Sequence, residues 1–255
     1  MSGVTALVLA GSRAGAADPM AVAAGVSHKA LLPVGGVPML ARVLEALRDS
    51  PRVTRIVVMI EAPERSLAGF PLEPGVLLRP AQPSPSRSVA AALEEFGAPL
   101  LVTTADHALL TPAMVAQFMS DLPPGTDAAA GLARSEVVLA AWPDARRTWL
   151  RFRDGRFSGC NLFWMGTPRA AGVVDFWRRV EQQRKKPMAM VRLLGPWVLL
   201  RFALGLLSLP QALAALGART ATQLAAVEMR FAEAAVDVDK PADLELAEAV
   251  LAGRD

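Results

Sequence analysis

The sequence is poor in several residue types on which particular protein classes depend. It has one cysteine and two histidines, so we expect neither a disulfide-stapled scaffold nor a zinc site built from these residues. It has no tyrosine, and 5% of its residues are aromatic. The densest basic run, between Arg178 and Lys186, has only Trp177 beside it. Nucleic-acid binding normally needs a basic stripe interleaved with aromatics, so no nucleic-acid partner is expected.

Long uncharged runs are also missing. A membrane-spanning helix needs about 18 to 20 such residues, and the most apolar region, Met188 to Ala218, is interrupted by Arg192, Arg201 and several glycines and prolines. The segment from Met1 to Ala10 has no basic flank and is typical of a buried strand rather than a signal peptide. We therefore expect a cytoplasmic protein.

What is abundant is apolar sequence. Of the 255 residues, 53% are hydrophobic and 20% are charged, and the mean hydropathy is +0.33. This composition excludes a disordered chain, and the length suffices for a large core. No linker or repeat divides the sequence, which predicts a single domain over residues 1–255.

The first half of the chain alternates between strand and helix patterns. The predicted strands are Val4–Ala10, Arg55–Ile60, Val76–Leu78 and Pro99–Thr104. The predicted helices are Val37–Arg48, Ser86–Phe96 and Thr111–Ser120. Strands separated by helices of this length indicate an α/β protein with right-handed crossovers and a mostly parallel sheet.

The second half is more varied. Its β-like runs predict antiparallel or mixed strands and a last short strand: Glu136–Trp142, Thr148–Arg153, Phe157–Met165 and Ala234–Val238. Its helical patterns cover Pro168–Gln183, an apolar insertion at about residues 185–218, and Pro241–Ala252.

Chemistry-bearing residues follow the first predicted strand. The small residues from Leu9 through Ala10, Gly11 and Ser12 allow backbone N–H groups to approach phosphate oxygens. Arg13 and Lys29 would add positive charge. Lys29 is one of only four lysines in an arginine-rich chain, which indicates that a compact point charge is needed there, although a solvated loop lysine remains the alternative.

Aspartates follow two other predicted strands. Asp106 ends a buried run, and carboxylates that hold Mg²⁺ beside a substrate phosphate often stand at such positions. Asp237 lies at the end of the last predicted strand and Asp239 directly follows that strand, so both would point to the same face. Asp239 is alternatively the N-cap of the final helix, and Asp106 a turn residue.

Together these segments resemble a known family. The stretches LAGSR…HKALLPVGG…ML, TADHALLTP and VDVDKPADLELAE are similar to those of the MobA-like nucleotidyltransferases. The resemblance implies a doubly wound, Rossmann-like fold with a mostly parallel mixed sheet, related to the GT-A fold, with the apolar helical stretch as an insertion near the C-terminus.

The resemblance also implies roles for individual residues. Residues Leu9 to Arg13 and Lys29 would wrap the triphosphate, with Lys29, Arg13 and Asp106 catalytic and Asp106 and Asp239 binding Mg²⁺. The acceptor would contact Gly159 and Asn161. Base and ribose would contact the segment that contains Gln82, Ser84, Ser86, Arg87 and Ser88.

The implied reaction moves a nucleoside monophosphate from an NTP to a small phosphorylated acceptor and releases pyrophosphate. CTP is slightly favoured, then GTP, because this superfamily usually activates small-alcohol phosphates and lipid precursors as CDP derivatives. One alternative is a glycosyltransferase of related fold, although His107 and Ala108 follow Asp106 where such enzymes carry Asp-x-Asp. A non-catalytic nucleotide-binding or membrane-surface module is the other.

The sequence is compatible with more than one role for the insertion. Its apolar residues follow the cluster Arg184, Lys185 and Lys186, which is compatible with peripheral contact to a membrane. On one ideal helix, however, Arg192 and Arg201 would fall on opposite sides. A lid over the acceptor and a homodimer interface are equally compatible with the sequence.

Overall fold

A mixed eight-stranded sheet is the centre of the computed structural model, which describes residues 3–12, 17–145, 147–183 and 186–253. Two further strands form a small hairpin. The strands within these ranges are β1 Val4–Leu9, β2 Pro33–Val34, β3 Val37–Pro38, β4 Val53–Ile60, β5 Val76–Pro80, β6 Leu100–Thr104, β7 Ala128–Arg134, β8 Leu150–Phe152, β9 Gly155–Met165 and β10 Leu224–Met229.

Helices connect most of these strands. They are α1 Pro19–Ala23, α2 Met39–Arg48, α3 Pro63–Ser66, α4 Pro85–Phe96, α5 Pro112–Ser120, α6 Ser135–Ala141, α7 Ala170–Gln183, α8 Pro187–Leu194, α9 Pro196–Ala203, α10 Leu209–Thr220 and α11 Pro241–Ala252. Short 3₁₀ turns cover Lys29–Leu31 and Ala232–Ala235.

The strand order confirms the predicted fold class. It runs β10-β7-β9-β6-β1-β4-β5, with β8 beside β9. β1 is parallel to β4 and β6, whereas β9 is antiparallel to β6 and β7. Because the chain passes from β1 to β4 on one side and to β6 on the other, the carboxyl end of β1 lies where a doubly wound sheet binds its ligands.

Both faces of the sheet are covered, which explains the continuous apolar run of β1. Val4, Ala6 and Val8 pack into one core with residues of α2 and α5. Leu7 points the other way, into a second core with α4 and α7. Side chains alternate along a strand, so a strand buried on both faces must be apolar throughout.

Most predicted elements are confirmed, with shifts at their ends. Helix α11 has the predicted bounds, and α5 begins one residue after its capping Thr111. The predicted helix at Val37 begins instead at Met39, because Val37 and Pro38 form β3. Gly35 and Gly36 have φ of 57° and 75°, as the tight turn between β2 and β3 requires.

Two strand predictions are wrong. Glu136–Trp142 was predicted to be β-like but lies almost wholly in α6. The strand that pairs with β9 is instead the preceding segment, β7, because packing in the sheet outweighs the local β-propensity of residues 136–142. Ala234–Val238 forms a 3₁₀ turn followed by extended chain. The last strand of the described chain is β10, which ends at Met229, so Asp237 and Asp239 do not share the face of a strand.

The predicted insertion contains three helices, α8, α9 and α10, separated by a break at Gly195 and a turn at residues 204–208. In the described parts of the chain, none of the helices combines the length and the apolar character needed to cross a bilayer.

Candidate active site

The candidate site lies at the carboxyl edge of the three central strands. Leu9 of β1 pairs with Met59 of β4 and with Thr104 of β6. Because these residues are level, the segments that follow them leave the sheet side by side. The described part of the predicted loop, the end of β4 and Asp106 therefore meet at one place.

A cleft of about 280 Å³ opens there and contains both predicted metal ligands. The Nζ atom of Lys29 lies 2.7 Å from Oδ1 of Asp239 and 3.7 Å from Oδ2 of Asp106. Lys29 and Asp239 are 210 positions apart in the chain. The structure thus brings together the three residues that the sequence singled out separately.

Asp106 is held by its own strand end. Thr104 Oγ1 donates a hydrogen bond to Oδ1 of Asp106 at 2.5 Å, and the Asp106 side chain is 24% exposed. Burial raises the pKa of Asp106, while the Thr104 hydrogen bond and the Lys29 charge act in the opposite direction. A desolvated carboxylate gains most from a neighbouring cation, so this position suits a metal ligand.

Asp239 reaches the cleft through the segment before α11. The Val238 N–H donates to the backbone oxygen of Asp106 at 3.0 Å, which places this segment beside the end of β6. The N–H groups of Asp239 and Lys240 both donate to Oδ2 of Asp243 at 3.2 Å. Asp239 is therefore a cleft residue, and the carboxylate that receives these N–H groups at the helix start belongs to Asp243.

Lys29 stays charged in this environment. Burial alone lowers the pKa of Lys29, but the hydrogen bond to Asp239 and the charges of Asp106, Asp239 and Asp18 raise it above its ordinary value of 10.5. The ammonium group is therefore a permanent positive charge at the centre of the cleft near neutral pH.

The N–H group of Ser12 is directed at an anion. It lies 3.1 and 3.2 Å from the two carboxylate oxygens of Glu61, which directly follows β4. Gly11 beside it has little space, because a Cβ there would lie 3.2 Å from the Cβ of Ala81. The described part of the loop thus has the small residues that phosphate binding requires, and its Ser12 N–H group is bonded to the Glu61 carboxylate in this structure.

His28 fixes the start of the Lys29 turn. Its Nδ1 accepts the Ala30 N–H at 3.0 Å, so its Nε2 carries the proton and donates to Oε1 of Glu61 at 2.9 Å. The His28 ring is buried. Glu61 therefore links the Ser12 loop to the Lys29 turn.

A second cavity of about 590 Å³ adjoins the first and shares Leu9, Gly11 and Ser12 with it. Gln82, Ser84 and Ser88, which were predicted to contact base and ribose, line this cavity together with Glu61 and Glu181. The Gln82 N–H donates to Ser88 Oγ at 3.0 Å.

The other two residues of this segment are placed differently. Ser86 is fully buried and donates through its hydroxyl group to the carboxylate of Glu181 on α7. Arg87 lies between two buried serines and is itself exposed. A role in nucleotide binding stays a prediction for both.

Several further predictions remain untested by the geometry. Arg13 lies outside the described residues. Gly159 and Asn161 lie on β9, where Asn161 has φ of 47° beside an irregularity in the pairing with β7, and their contact with an acceptor stays a prediction. His107 is buried, which lowers its pKa to about 4.

Four titratable residues of the two cavities were not anticipated from the sequence: Asp18, His28, Glu61 and Glu181. Glu61 had a usable signal, because it stands directly after the predicted strand Arg55–Ile60, much as Asp106 stands two positions after Thr104. Glu181 had none, since it lies near the end of α7 and far along the chain from the segment that it contacts.

Known proteins show the same architecture. A structure described as a hypothetical transferase from Thermus thermophilus is 30% identical, with a TM-score of 0.79, over 96% of this chain and all of that chain. The 4-diphosphocytidyl-2C-methyl-D-erythritol synthase of Anaerococcus prevotii is 9% identical, with a TM-score of 0.61, over 98% of this chain and 96% of that chain. A CMP:2-keto-3-deoxy-manno-octonic acid synthetase complexed with CTP is 14% identical, with a TM-score of 0.55, over 100% and 99%.

The family itself follows from the sequence comparison. A search of the curated proteins gave no match. The profile of the MobA-like NTP transferase domain, however, matches residues 6–224 and so covers most of the chain. The protein therefore belongs to the MobA-like NTP transferase family and is a nucleotidyltransferase.

Proposed function

We propose that the enzyme transfers a nucleoside monophosphate from an NTP, with CTP preferred and GTP next, to a small phosphorylated acceptor in a Mg²⁺-dependent reaction. The observation that carries this proposal is the meeting of Lys29, Asp106 and Asp239 in one cleft beside the Ser12 N–H group. Phosphoryl-group transfer needs positioned charges more than covalent catalysis.

The donor atoms of the cleft fit Mg²⁺. Among the described residues, no group of three or more histidine, cysteine or acidic side chains is placed to hold a metal ion. Two carboxylates do converge, from Asp106 and Asp239, and both already contact a cation, the Lys29 ammonium. Mg²⁺ is commonly bound by one or two carboxylates together with substrate phosphates. When bound, it would neutralise charge on the reacting phosphates.

The side chains of the cleft would act by orientation and charge. An oxygen of the acceptor phosphate forms a bond to the α-phosphorus, and the bond from that phosphorus to the oxygen bridging to the β-phosphate breaks. Pyrophosphate leaves with the electron pair. The attacking phosphate is already ionised near neutral pH, so no general base is required. Lys29 would stabilise the negative charge on the leaving pyrophosphate.

The second cavity supports a base with an exocyclic amino group. Glu61 and Glu181 line it, and ionised carboxylates only accept hydrogen bonds. Cytosine, guanine and adenine each present an exocyclic NH₂ donor, whereas uracil has a carbonyl oxygen at the position of the cytosine amino group. The two neighbours whose names refer to cytidine nucleotides support the order of CTP before GTP.

The test is pyrophosphate release from each NTP with Mg²⁺ and a panel of polyol and sugar phosphates. We expect Lys29→Ala and Asp106→Asn each to lower kcat/KM by about 10²- to 10³-fold, because each removes a charge that acts on the reacting phosphates. Arg151→Ala, which removes an exposed cation on β8, is the matched control and should retain full activity. Wild-type rates in the Lys29 and Asp106 variants, with an acceptor that the wild type uses, would refute the assignment.

A further inference from the structure

The inserted helices expose apolar surface to an unusual extent. Helix α9 has the sequence PWVLLRFA, and none of its eight residues is buried. Eight large hydrophobic side chains are exposed among the described residues, and five of them lie between Met188 and Leu206. An exposed apolar cluster on a folded protein usually marks an interaction site.

The exposed side chains of α9 share one face. Trp197 is 74% exposed, Leu200 is 47% exposed, and Leu204 just after the helix is 62% exposed. Their spacing of three, four and seven positions places them in one row along a helix. The opposite side of α9 is attached to the protein, because the Phe202 ring lies 5.4 Å from the ring of Phe152 on β8. The exposed row is therefore held facing outward.

The segment of chain that contains this row carries only positive charges. No acidic residue occurs in the sequence between Glu181 and Glu228, whereas six basic residues do: Arg184, Lys185, Lys186, Arg192, Arg201 and Arg219. In the described part of this stretch, Lys186, Arg192, Arg201 and Arg219 are exposed and none forms an ion pair. Arg219 lies against Gly195, at the corner between α8 and α9.

The break at Gly195 separates Arg192 from Arg201, so the insertion can form an amphipathic surface. Arg192 and Arg201 would lie on opposite sides of one continuous helix, but Gly195, with φ of 86°, ends α8 and begins α9. Arg192 and Arg201 therefore belong to different helices. Arg201 lies one position after Leu200 and four after Trp197, so it stands beside the apolar row.

We infer that α8 and α9 dock on an anionic lipid bilayer, with the row Trp197, Leu200 and Leu204 inserted at the interface and the surrounding cations against lipid phosphates. Trp favours the interfacial region, and each basic residue near an anionic surface adds attraction. A second copy of the chain is a less suitable partner for this surface, because a twofold contact would place the cationic surface against itself.

The experiment is co-sedimentation of the full-length protein with vesicles. The vesicles contain phosphatidylcholine alone or with about one-third phosphatidylglycerol, a composition that supplies the anionic surface. We expect binding to the anionic vesicles only. Leu200→Ser/Leu204→Ser should reduce binding by about tenfold or more, since it removes the inserted apolar groups. Val22→Ser, which changes an equally exposed side chain on α1, should bind as the wild type does.

A second measurement locates the contact. Brominated lipids quench tryptophans that enter the bilayer, and we expect Trp197→Phe to lose the quenching observed with the wild type. Equal binding by the wild type and the Leu200/Leu204 double variant, or absence of binding to anionic vesicles, would overturn the inference. A dimer in light scattering that the double variant abolishes, without vesicle binding, would assign the surface to a second copy instead. None of these outcomes depends on nucleotide transfer, so the docking surface and the proposed reaction fail independently.

Discussion

Individual side chains in the cleft differ in how firmly they are held. Asp106 is fixed by Thr104 and 24% exposed, whereas the Asp239 side chain is 63% exposed and bonded to Lys29. Asp106 is thus pre-positioned for the metal-binding role that we propose for it. Asp239 can change partners at little cost, because an exposed ion pair contributes little to stability.

Cys160 has a thiol group that could react in solution, but burial in the fold makes it inert. It is 1% exposed, and burial raises the pKa of its thiol to about 12. Because the thiolate is the reactive form, we expect no modification of the native enzyme by a disulfide reagent at pH 8, and one thiol per chain after denaturation. Spectrophotometric titration of thiols measures both values. Rapid stoichiometric labelling of the native protein would show that the thiol is accessible.

At the scale of secondary-structure elements, one carboxylate ties three strands together. Asp127 precedes β7 and is 4% exposed. Its Oδ2 accepts the Gln223 N–H at 2.8 Å next to β10, and its Oδ1 accepts the Thr167 hydroxyl at 2.5 Å after β9. The antiparallel strand β9 is therefore anchored at the end where the chain passes into α7.

Removal of this charge should weaken the fold in a pH-dependent way. We expect Asp127→Asn to lower the free energy of unfolding by about 1–3 kcal/mol near neutral pH, since the hydrogen bonds to a buried charged acceptor are lost or weakened. The backbone hydrogen bond from Gln223 and the hydroxyl of Thr167 lower the pKa of Asp127 below its ordinary value of 3.8.

The sign of the pH effect follows from this lowered pKa. The stabilisation by Asp127 is complete above pH 3.8 and is lost as the pH falls through the lower pKa of the folded state. The difference between wild type and Asp127→Asn should therefore shrink in acid. Urea unfolding from pH 7 to pH 3 measures it, and a difference that stays constant in acid would contradict this account.

At the scale of the whole molecule, the two cavities adjoin and form one continuous concave region. They share Leu9, Gly11 and Ser12; Lys29, Asp106 and Asp239 line one cavity, and the segment from Gln82 to Ser88 lies beside the other. An elongated ligand such as an NTP can therefore contact α4, the end of β1 and the start of α11 at once. A ligand bound only to the folded state stabilises all of these elements together.

This stabilisation gives a direct comparison of nucleotides. With Mg²⁺, we expect CTP to raise the Tm most, followed by GTP. At a concentration 100 times its Kd, a ligand adds about 2.7 kcal/mol, which corresponds to roughly 5–10 °C for a domain of this size. Thermal-shift scans with four NTPs measure the order, and Asp106→Asn should reduce the Mg²⁺-dependent part. An equal response to all four NTPs would contradict base selection by the Glu61 and Glu181 cavity.

The sequence by itself determined the elements that depend on local chemistry. Strands β1, β4 and β6 are mostly apolar runs, and α5 and α11 begin at a proline. The residues from Leu9 to Ser12 and Asp106 were found from the strand patterns that end beside them, and Lys29 was found because lysine is scarce in this chain. The strand and helix patterns are short in range, so an isolated stretch of chain contains them.

Only the tertiary structure decided which distant segments meet. Strands β7 and β10 contain several alanines, so neither has a strong local strand pattern. Both form because they pair with neighbouring strands of the sheet. The pairing of Lys29 with Asp239, and the positions of Glu61 and Glu181, likewise depend on strand order. The physical reason is that propensity acts between neighbours in sequence, whereas the cleft and the outward face of α9 result from how sheet and helices pack.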